Sequence, residues 1–491
     1  MTMTTATNPV AEPLPEYTEH QAKLKLINTL MGGTAAMREA RETYLPKEPA
    51  ESATAYNIRL ARTTLFNAFK RTIQKLTGEV FSKDVDMGDD VPPQVAEWAT
   101  EDIDLQGRNL SRFAQEVFKA GLRDGVTHIL ADYPQADGNL VTKADEKAAA
   151  IRPYWVHITA DRVIGWRVEM VNGTRVLKQV RITETVTVPD GDYATKTVNR
   201  IRVLNPDSYE IWEEQGEDPI GSAWEKIQEG KVTLGFIPLV TIMSGEPMSA
   251  MTAEPPLDDL AELNLAHWKL DSDYRTTLHQ MVPIWFGKGI SDSQGKCAGE
   301  EGNQVVIGAG RLIHSTNTEA DLKGIALESG PAEAMKAELA ALEDKMALFG
   351  LTLMLPKGGQ ITATQSASDK SENDSALRSW AMLFKDGLEL GLQYLSQWAG
   401  LGDKGGTVVV NTDFRAFSGV ELQFLTQAMI AGKIPMGLWL KEAQRRGAVS
   451  NDVDETEILA MLTNEARNTS LGGLAGGFLA KAPGVAPGGT V

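Results

Sequence analysis

Apolar and polar positions recur with two different periods along the chain, and these periods divide it into helical and strand-rich regions. A helical period runs from Tyr17 to Leu30, from about Thr54 to Leu76, and from Val91 towards Ala131. Strand-like runs separated by Gly, Asp, Asn and Pro then continue to about Met243. Asn172-Gly173, between two of these runs, is typical of a tight hairpin. The pattern therefore predicts an α+β chain.

The helix predicted from Leu257 to about Met281 has apolar residues on two sides. One row is Leu260, Leu263, Leu270, Tyr274 and Leu278, and the other is Leu257, Ala261, Leu265 and Trp268. Pro255-Pro256 marks its start, because proline fits a first helical turn but not a helix interior. Such a helix needs partners on two sides. It is either a core helix of one chain or a helix with one flank against each neighbouring subunit of a ring.

A second long helix is predicted from Asp369 to about Trp398. Asp369 and Glu372 have the spacing of a capping box, which would mark its first turn. One face is apolar at Leu377, Ala381, Phe384, Leu388, Gly391, Leu395 and Trp398. Gly387 and Gly391 interrupt it, and mid-helix glycines indicate a bend or close packing against another backbone.

A third helix is predicted from Pro331, with Met335, Leu339, Leu342, Met346 and Phe349 on one face. Residues 351–367, which follow it, contain Pro356, Gly358-Gly359 and several Ser and Thr but show no period. A connection this long without a pattern of its own is either functional or mobile. Strand-like runs are predicted at Ile284–Phe286, Val305–Ile307 and Thr407–Asn411, and three short helices lie between 420 and 467.

Composition narrows the classes of protein that this chain can belong to. Its 491 residues exceed one ordinary hydrophobic core, so two to four structural units are expected. Sixty-six acidic against 48 basic residues give a net charge of −18, which argues against a broad basic face that grips nucleic acid. A surface past which nucleic acid slides stays possible. The chain has no 18-residue apolar run, no signal-peptide pattern, and a single cysteine, Cys297, as expected for cytoplasmic assembly.

Motifs that carry chemistry are missing from the sequence. There is no phosphate-binding Gly-rich loop, and the six histidines never have metal-ligand spacing; His267 and Asp271 are expected to form a helix-surface pair. Asp102–Gly107 imitates the start of a calcium loop, but Phe113 occupies the position of the bidentate glutamate. The bases Arg59, Arg62, Lys70, Arg71 and Lys75 are expected to pair with acids rather than phosphate. We expect no enzyme activity, no metal and no cofactor.

The order of the elements resembles the portal proteins of tailed double-stranded DNA bacteriophages, in particular a branch of that family with an uncharacterised domain. The segments that carry the resemblance are Pro255–Trp268, Ser272–Tyr274, Ala55–Ala61, Gly78–Phe81, Ala131–Pro134 and Ala376–Trp398. Each is weakly specific alone, and their order together is more specific. The resemblance covers Tyr17 to Arg467.

The resemblance implies a portal-like fold with the following divisions. They are a disordered arm (1–16), a mixed α/β wing (17–254), a stem helix (255–281), a small clip (282–330), a returning stem helix (331–349), a tunnel loop (350–368), a channel-to-wing helix with a wing strand (369–417), a helical crown (418–466) and a flexible tail (467–491).

The same resemblance implies functional residues. The tunnel loop would face the DNA with Lys357, Gly358, Gly359, Gln360, Thr362 and Thr364. The stem helix would contact neighbouring subunits through Leu260, Leu263, Leu265, Trp268, Tyr274 and Leu278.

The function that the resemblance implies is a ring of twelve copies at one capsid vertex of the virion, assembled in the host cytoplasm. Double-stranded DNA would be packaged and ejected through it without sequence specificity. Expected partners are the terminase large subunit, the major capsid protein and scaffold, and the head-tail connector or adaptor, with no membrane. Two other classes stay open: another head-completion or tail-baseplate ring protein, and a DNA-processing enzyme.

Overall fold

The structure is a computed structural model that describes most of the first 412 residues. The described residues are 9–134, 151–218, 221–281, 284–288, 319–325, 329–348 and 363–412, with a few positions between 426 and 443. The chain divides into two compact units, Met1–Phe414 and Arg415–Val491. In the second unit Trp439 Nε1 donates to Thr426 Oγ1 at 3.1 Å. The rest of the predicted crown, and the predicted tail, lie outside the described residues.

The N-terminal part of the first unit is helical. Its elements are α1 (Pro15–Glu39), a 3₁₀ turn (Arg41–Thr43), α2 (Ala53–Arg62), α3 (Ala68–Val80), β1 (Asp86–Met87), α4 (Pro93–Glu101) and α5 (Leu110–Asp124). The single helix predicted from Thr54 to Leu76 is wrong, because the chain breaks between α2 and α3. Asn67 caps α3 by accepting a hydrogen bond from the Lys70 N–H at 3.0 Å.

Two antiparallel sheets follow. Their strands are β2 (Val126–Asp132), β3 (Tyr154–Thr159), β4 (Val163–Val171), β5 (Thr174–Asp190), β6 (Ala194–Leu204), β7 (Ser208–Asp218), β8 (Gly221–Lys231) and β9 (Leu239–Met243). One sheet has the order β3-β2-β9, and the other is the meander β4-β5-β6-β7-β8. The predicted hairpin at Asn172-Gly173 is confirmed, with φ of 51° and 82° at its two central residues. β8 was not predicted.

The remaining elements alternate long helices with short strands. They are α6 (Asp258–Gln280), β10 (Ile284–Lys288), β11 (Asp321–Ile325), α7 (Gly330–Leu348), α8 (Ala363–Trp398) and β12 (Val408–Val409), which pairs with β1. The α+β class is therefore confirmed. α8 begins six residues before the predicted start at Asp369. Asp369 and Glu372 thus lie inside the helix and do not cap its first turn.

α8 packs on the three-stranded sheet through its two glycines. A β-carbon at Gly387 would lie 2.6 Å from the side chain of Ile242, and one at Gly391 would lie 2.7 Å from the ring of Trp155. Trp155 Nε1 also donates to the Gly391 carbonyl at 3.2 Å. The close packing predicted from these glycines is confirmed, but their neighbours are side chains rather than another backbone.

The N-terminal segment differs from its prediction as a disordered arm over residues 1–16. α1 already begins at Pro15, and residues 9–14 lie against the five-stranded sheet. The Leu14 N–H donates to the Ile164 carbonyl at 2.9 Å. The prediction rested on composition alone, which does not reveal that main-chain groups of this segment bond to a strand. Residues 1–8 lie outside the described part.

Candidate functional site: the α6–α7 pair and its connection to α8

The first half of α6 is part of the chain's own core. Leu260 and Trp268 have no exposed area, and Leu265 is also buried, because α1, α2 and α3 pack on this half of the helix. This corrects the predicted subunit contacts at these three residues, because their side chains are buried in the chain's own core. Leu263 and Tyr274 are half-buried and Leu278 is exposed. At these three residues the subunit contact stays a prediction.

Two buried polar residues of α6 bind the break between α2 and α3. Asn264 accepts from the Phe69 N–H at 3.0 Å and donates to the Phe66 carbonyl at 2.8 Å. Asp271 accepts from the Thr64 N–H at 3.3 Å and from Arg275 Nε at 2.7 Å. The predicted surface pair of His267 and Asp271 is therefore wrong.

Sequence reasoning missed these two anchors, although a signal was present. Asn264 and Asp271 are seven residues apart, so they lie on one face of α6, and that face is otherwise apolar at Ala261, Leu265 and Trp268. A buried polar side chain requires a hydrogen-bond partner. The spacing therefore indicates a polar segment of backbone packed against this face, which is what the break between α2 and α3 supplies.

Arg59 of α2 forms a second attachment to α6. Its guanidinium donates to both carboxylate oxygens of Glu51, at 2.9 and 2.8 Å, and Nη1 donates to Ser272 Oγ at 3.3 Å. Both partners of this ion pair are largely buried, and the Arg59 hydrogen bond lowers the pKa of Glu51. Burial raises the pKa of the nearby Asp273. Arg59 opposes this rise, and the charge of Glu48 adds to it. Arg59 is thus a structural residue rather than a phosphate contact.

α7 runs antiparallel to α6 and packs along it. His267 Nε2 lies 3.3 Å from Glu343 Oε1, and the Thr277 hydroxyl lies 3.6 Å from Met335 Sδ. As the residue number rises along α6, it falls along α7, which defines the antiparallel direction. The buried face of α7 contains Leu339, Leu342 and Met346, as predicted from its period. Phe349 lies outside the described residues.

A two-stranded ribbon lies at the end of the pair that is remote from the anchors. β10 follows α6 after three residues, and β11 precedes α7 by four residues, so both strands lie at this end. They pair antiparallel, from Ile284 opposite Ile325 to Lys288 opposite Asp321. The predicted strand at Ile284–Phe286 is confirmed. The run predicted at Val305–Ile307 lies outside the described residues.

The connection between α7 and α8 contains the predicted tunnel loop. Lys357, Gly358, Gly359, Gln360 and Thr362 lie outside the described residues. Thr364 lies in the first turn of α8 and is therefore helical rather than part of a loop. The prediction that Thr364 lies in a loop is therefore wrong, because α8 begins earlier in the sequence than its apolar period indicated. That Thr364 faces the DNA stays a prediction.

The charges of the α6–α7 pair are predominantly acidic. The two helices carry nine Asp and Glu residues and four Lys and Arg residues. Asp259, Glu262, Glu338 and Asp344 are among the exposed ones. Such a surface repels phosphate and offers few lysine and arginine side chains that could displace the counterions bound to DNA.

Other charged clusters of the first unit are paired internally. In the calcium-like loop, Asp102 and Asp104 accept backbone N–H groups of Gln106, Gly107 and Arg108, and Asp104 also binds the Arg108 side chain. Within the described ranges no three His, Cys, Asp or Glu side chains form a group that could hold a metal ion. None of the described helices is long and apolar enough to cross a membrane.

A cavity of about 440 Å³ lies between the two sheets, below the end of α8. Arg202 reaches into it, with Nε 3.0 Å from Glu184 and Nη1 bonded to Asp132. Burial and the adjacent Asp132 raise the pKa of Tyr154 to about 12. The guanidinium is thus engaged by the chain's own carboxylates.

Comparison with known proteins links the α6–α8 segment to a family. A family model described as a domain of unknown function, DUF4055, matches residues 256–399, which extend from the start of α6 to the end of α8. No curated protein matches the chain.

Several chains in solved structures align with most of this chain, at low sequence identity and low TM-score. A chain in the neck of an empty GTA particle, computed with C6 symmetry, is 14% identical at a TM-score of 0.40, covering 77% of this chain and 89% of that one. A chain in the neck of a native GTA particle, computed with C12 symmetry, is 15% identical at 0.41, covering 76% and 88%. A chain in the virion of the native gene transfer agent particle is 13% identical at 0.39, covering 77% and 88%. Likeness of this degree assigns no function.

Proposed function

We propose that the protein is a phage portal. Twelve copies form a ring at one capsid vertex, and double-stranded DNA passes through its channel during packaging and ejection. The ring has no catalysis of its own, since ATP hydrolysis belongs to the terminase large subunit that docks on it. The major capsid protein with its scaffold and the head-tail connector are its other partners. This proposal places the protein in the virion after assembly in the host cytoplasm.

The arrangement of α6, α7 and the β10–β11 ribbon carries the proposal. One end of the antiparallel pair is anchored in the core by Asn264, Asp271 and Arg59, and the ribbon lies at the other end. This supports a stem that ends in a clip, the order that the sequence resemblance implies. The excess of acidic residues on both helices suits a channel wall that does not retain DNA.

Particle images of the purified full-length protein test the ring. We expect closed rings with an axial hole, because head-to-tail contacts that close by rotation give cyclic oligomers. Monomers or open filaments would contradict the portal proposal. A tail-baseplate or head-completion protein would also give rings, so a second experiment must measure the passage of DNA.

The predicted tunnel loop provides that experiment. Leu351–Ser368 contains Lys357 as its sole cationic residue. Each added lysine that contacts phosphate adds a salt-sensitive attachment. We expect Gln360→Lys combined with Thr362→Lys to leave ring assembly intact and to slow packaging, more strongly at low salt.

The measurement is DNA packaged per particle against time at two salt concentrations. Gln360→Ser combined with Thr362→Ser is the matched control, since it changes the same positions without adding charge. Wild-type rates for the lysine variant at both salt concentrations would show that this loop does not approach the DNA.

A further inference from the structure

Residues 9–14, here called the arm, lie across one face of the five-stranded sheet. Arg181 of β5 donates through Nη1 to the carbonyls of Pro9 and Val10, at 2.8 and 2.9 Å. The Leu14 N–H donates to the Ile164 carbonyl of β4. These three hydrogen bonds all involve main-chain groups of the arm.

The surface beneath the arm is an apolar groove, defined by residues of β4, β6, β7 and β8. Its floor is the buried cluster of Ile164, Ile201 and Val203. Val10 and Ala11 of the arm pack against this cluster, and so do the half-buried Trp212 and Trp224. Two tryptophans with three aliphatic side chains give a broad apolar surface.

Arg181 is placed to bind main-chain carbonyls. Among the described residues it forms no ion pair, in contrast to Arg202, which lies between Asp132 and Glu184. Burial lowers the pKa of Arg181, and the positive charge of the nearby Arg167 lowers it further. A β-carbon at Gly165 would collide with the Arg181 guanidinium, so this glycine leaves the space that the side chain needs. A donor that binds carbonyls accepts an extended segment with little regard to its side chains.

The arm has the composition of an extended ligand. Its sequence is Pro-Val-Ala-Glu-Pro-Leu, and Pro15 follows it. Proline fixes φ near −65° and favours an extended backbone, so such a segment loses little entropy when it binds. Leu14, at φ −69° and ψ 149°, has this conformation. Proline-bearing segments on aromatic-lined grooves are a general mode of peptide recognition.

The arm meets α1 at Leu14, whose carbonyl accepts the Thr18 N–H at 3.1 Å. Its contacts described above are with the sheet, and Pro13-Leu14-Pro15 joins it to α1. The arm of another copy could make the same contacts, with a change confined to this junction. Exchange of an identical element between protomers is a low-cost way to link them.

We propose that the groove is a recognition site for an extended proline-bearing segment, and that the arm of a second copy of this chain fills it when copies associate. This proposal rests on the proposed function only because it requires that copies of the chain associate. The exchange links neighbouring copies without any new type of contact.

Single-cysteine variants of the full-length chain test the exchange. In a Cys297→Ser background, one population carries Val10→Cys in the arm and the other carries Val203→Cys in the groove. The two are co-expressed, and a short bismaleimide is added. Because neither chain carries both thiols, a Val10→Cys to Val203→Cys cross-link can form only between copies. Tyr193→Cys, at the fully exposed turn between β5 and β6, replaces the groove cysteine as the control for random collisions.

We expect roughly tenfold or more interchain product with Val203→Cys than with Tyr193→Cys, because a seated arm holds its thiol at a high effective concentration. Arg181→Met removes the donors to the arm and should reduce the product towards that of the control. Mass spectrometry of the linked peptides separates Val10–Val203 links from links between identical variants.

A chain that carries Val10→Cys and Val203→Cys together reports whether the arm reaches the groove at all. Intrachain product there, with interchain product no higher than in the control, would overturn the exchange. Absence of both products would overturn the groove itself. Light scattering on the untreated samples reports ring assembly separately, so a failure of the portal proposal is distinguishable from a failure of the exchange.

Discussion

Histidine burial is the residue-scale feature with the clearest measurable consequence. His128 in β2 is fully buried, with Nδ1 3.1 Å from Thr241 Oγ1, and its Nε2 has no hydrogen-bond partner among the described residues. Burial lowers its pKa to about 3, and the adjacent His157 and His20 also contribute. Burial likewise lowers the pKa of His157 to about 4. The folded chain therefore holds these imidazoles neutral.

This neutrality predicts a loss of stability in acid. The contribution of His128 is fully present above the unfolded pKa of about 6.5 and is lost as the pH falls towards the folded value of about 3. At pH 5 the loss from His128 is about 2 kcal/mol. We expect His128→Asn, which retains a polar atom near Thr241 but does not titrate, to lose less stability than wild type between pH 7.5 and pH 5.

Chemical unfolding at the two pH values measures this difference. The control is His279→Asn, which makes the same substitution at an exposed imidazole of α6. An equal pH dependence in wild type and His128→Asn would mean that His128 gains its proton without cost in the folded chain.

Single residues could be predicted from the sequence where their role depends on local spacing. Gly387 and Gly391 were recognised because glycine within a helical period is unusual. The role of Arg181 could not be recognised, because its partners are carbonyls 171 and 172 residues away. A main-chain carbonyl has no side-chain signature, so no pattern in the sequence points to it.

At the scale of elements, α6 was predicted within one residue at each end, whereas the break between α2 and α3 was missed. Apolar periodicity and Pro255-Pro256 specify α6 locally. The break depends on Asn264, which is 195 residues from the Phe69 N–H that it binds. Tertiary contacts of this kind override the continuous helical period between Thr54 and Leu76.

The anchoring of α6 gives a prediction at this scale. Asn264→Ala leaves the buried Phe69 N–H and Phe66 carbonyl without their partner, and we expect a loss of about 2–4 kcal/mol in the free energy of unfolding. Lys269→Ala, on the exposed side of the same helix, should change it by less than about 0.5 kcal/mol. Urea unfolding of both variants measures the difference. Equal stability would mean that water replaces both hydrogen bonds.

At the scale of the whole molecule, α6 has a buried first half and a more exposed second half, and this division allows folding and the proposed assembly to be tested separately. Leu260 lies in the core, so a charge there would unfold the subunit, whereas Leu278 is 44% exposed. We expect Leu278→Asp to leave the melting temperature of the subunit nearly unchanged and to weaken ring formation, because it places a charge at a predicted subunit contact. Leu278→Ala is the milder control.

Light scattering measures ring formation, and circular dichroism measures the melting temperature of the subunit. Intact rings with Leu278→Asp would show that this part of α6 does not contact a neighbouring subunit. Unfolding of Leu278→Asp would instead show that Leu278 belongs to the subunit's own core, against its exposure in the single chain.

The three-stranded sheet is covered late in synthesis, because α8, which packs on it, is translated after all three of its strands. Trp398 Nε1 donates to the Ala131 carbonyl, 267 residues earlier, and Gly391 receives Trp155 across 236 residues. At 5–20 residues per second, the ribosome needs roughly 12–53 s to proceed from one partner to the other. For that time the nascent chain exposes the apolar face that α8 will cover.

A nascent chain in this state exposes apolar surface of the kind that makes incomplete chains prone to aggregation. We expect chains stalled before α8 emerges to be cleaved by protease near Trp155, and chains stalled well beyond residue 412 to resist cleavage there. Protection before α8 has emerged would mean that the sheet is stable without it. The late arrival of α8 thus leaves the three-stranded sheet uncovered until at least the first 398 residues have been synthesised.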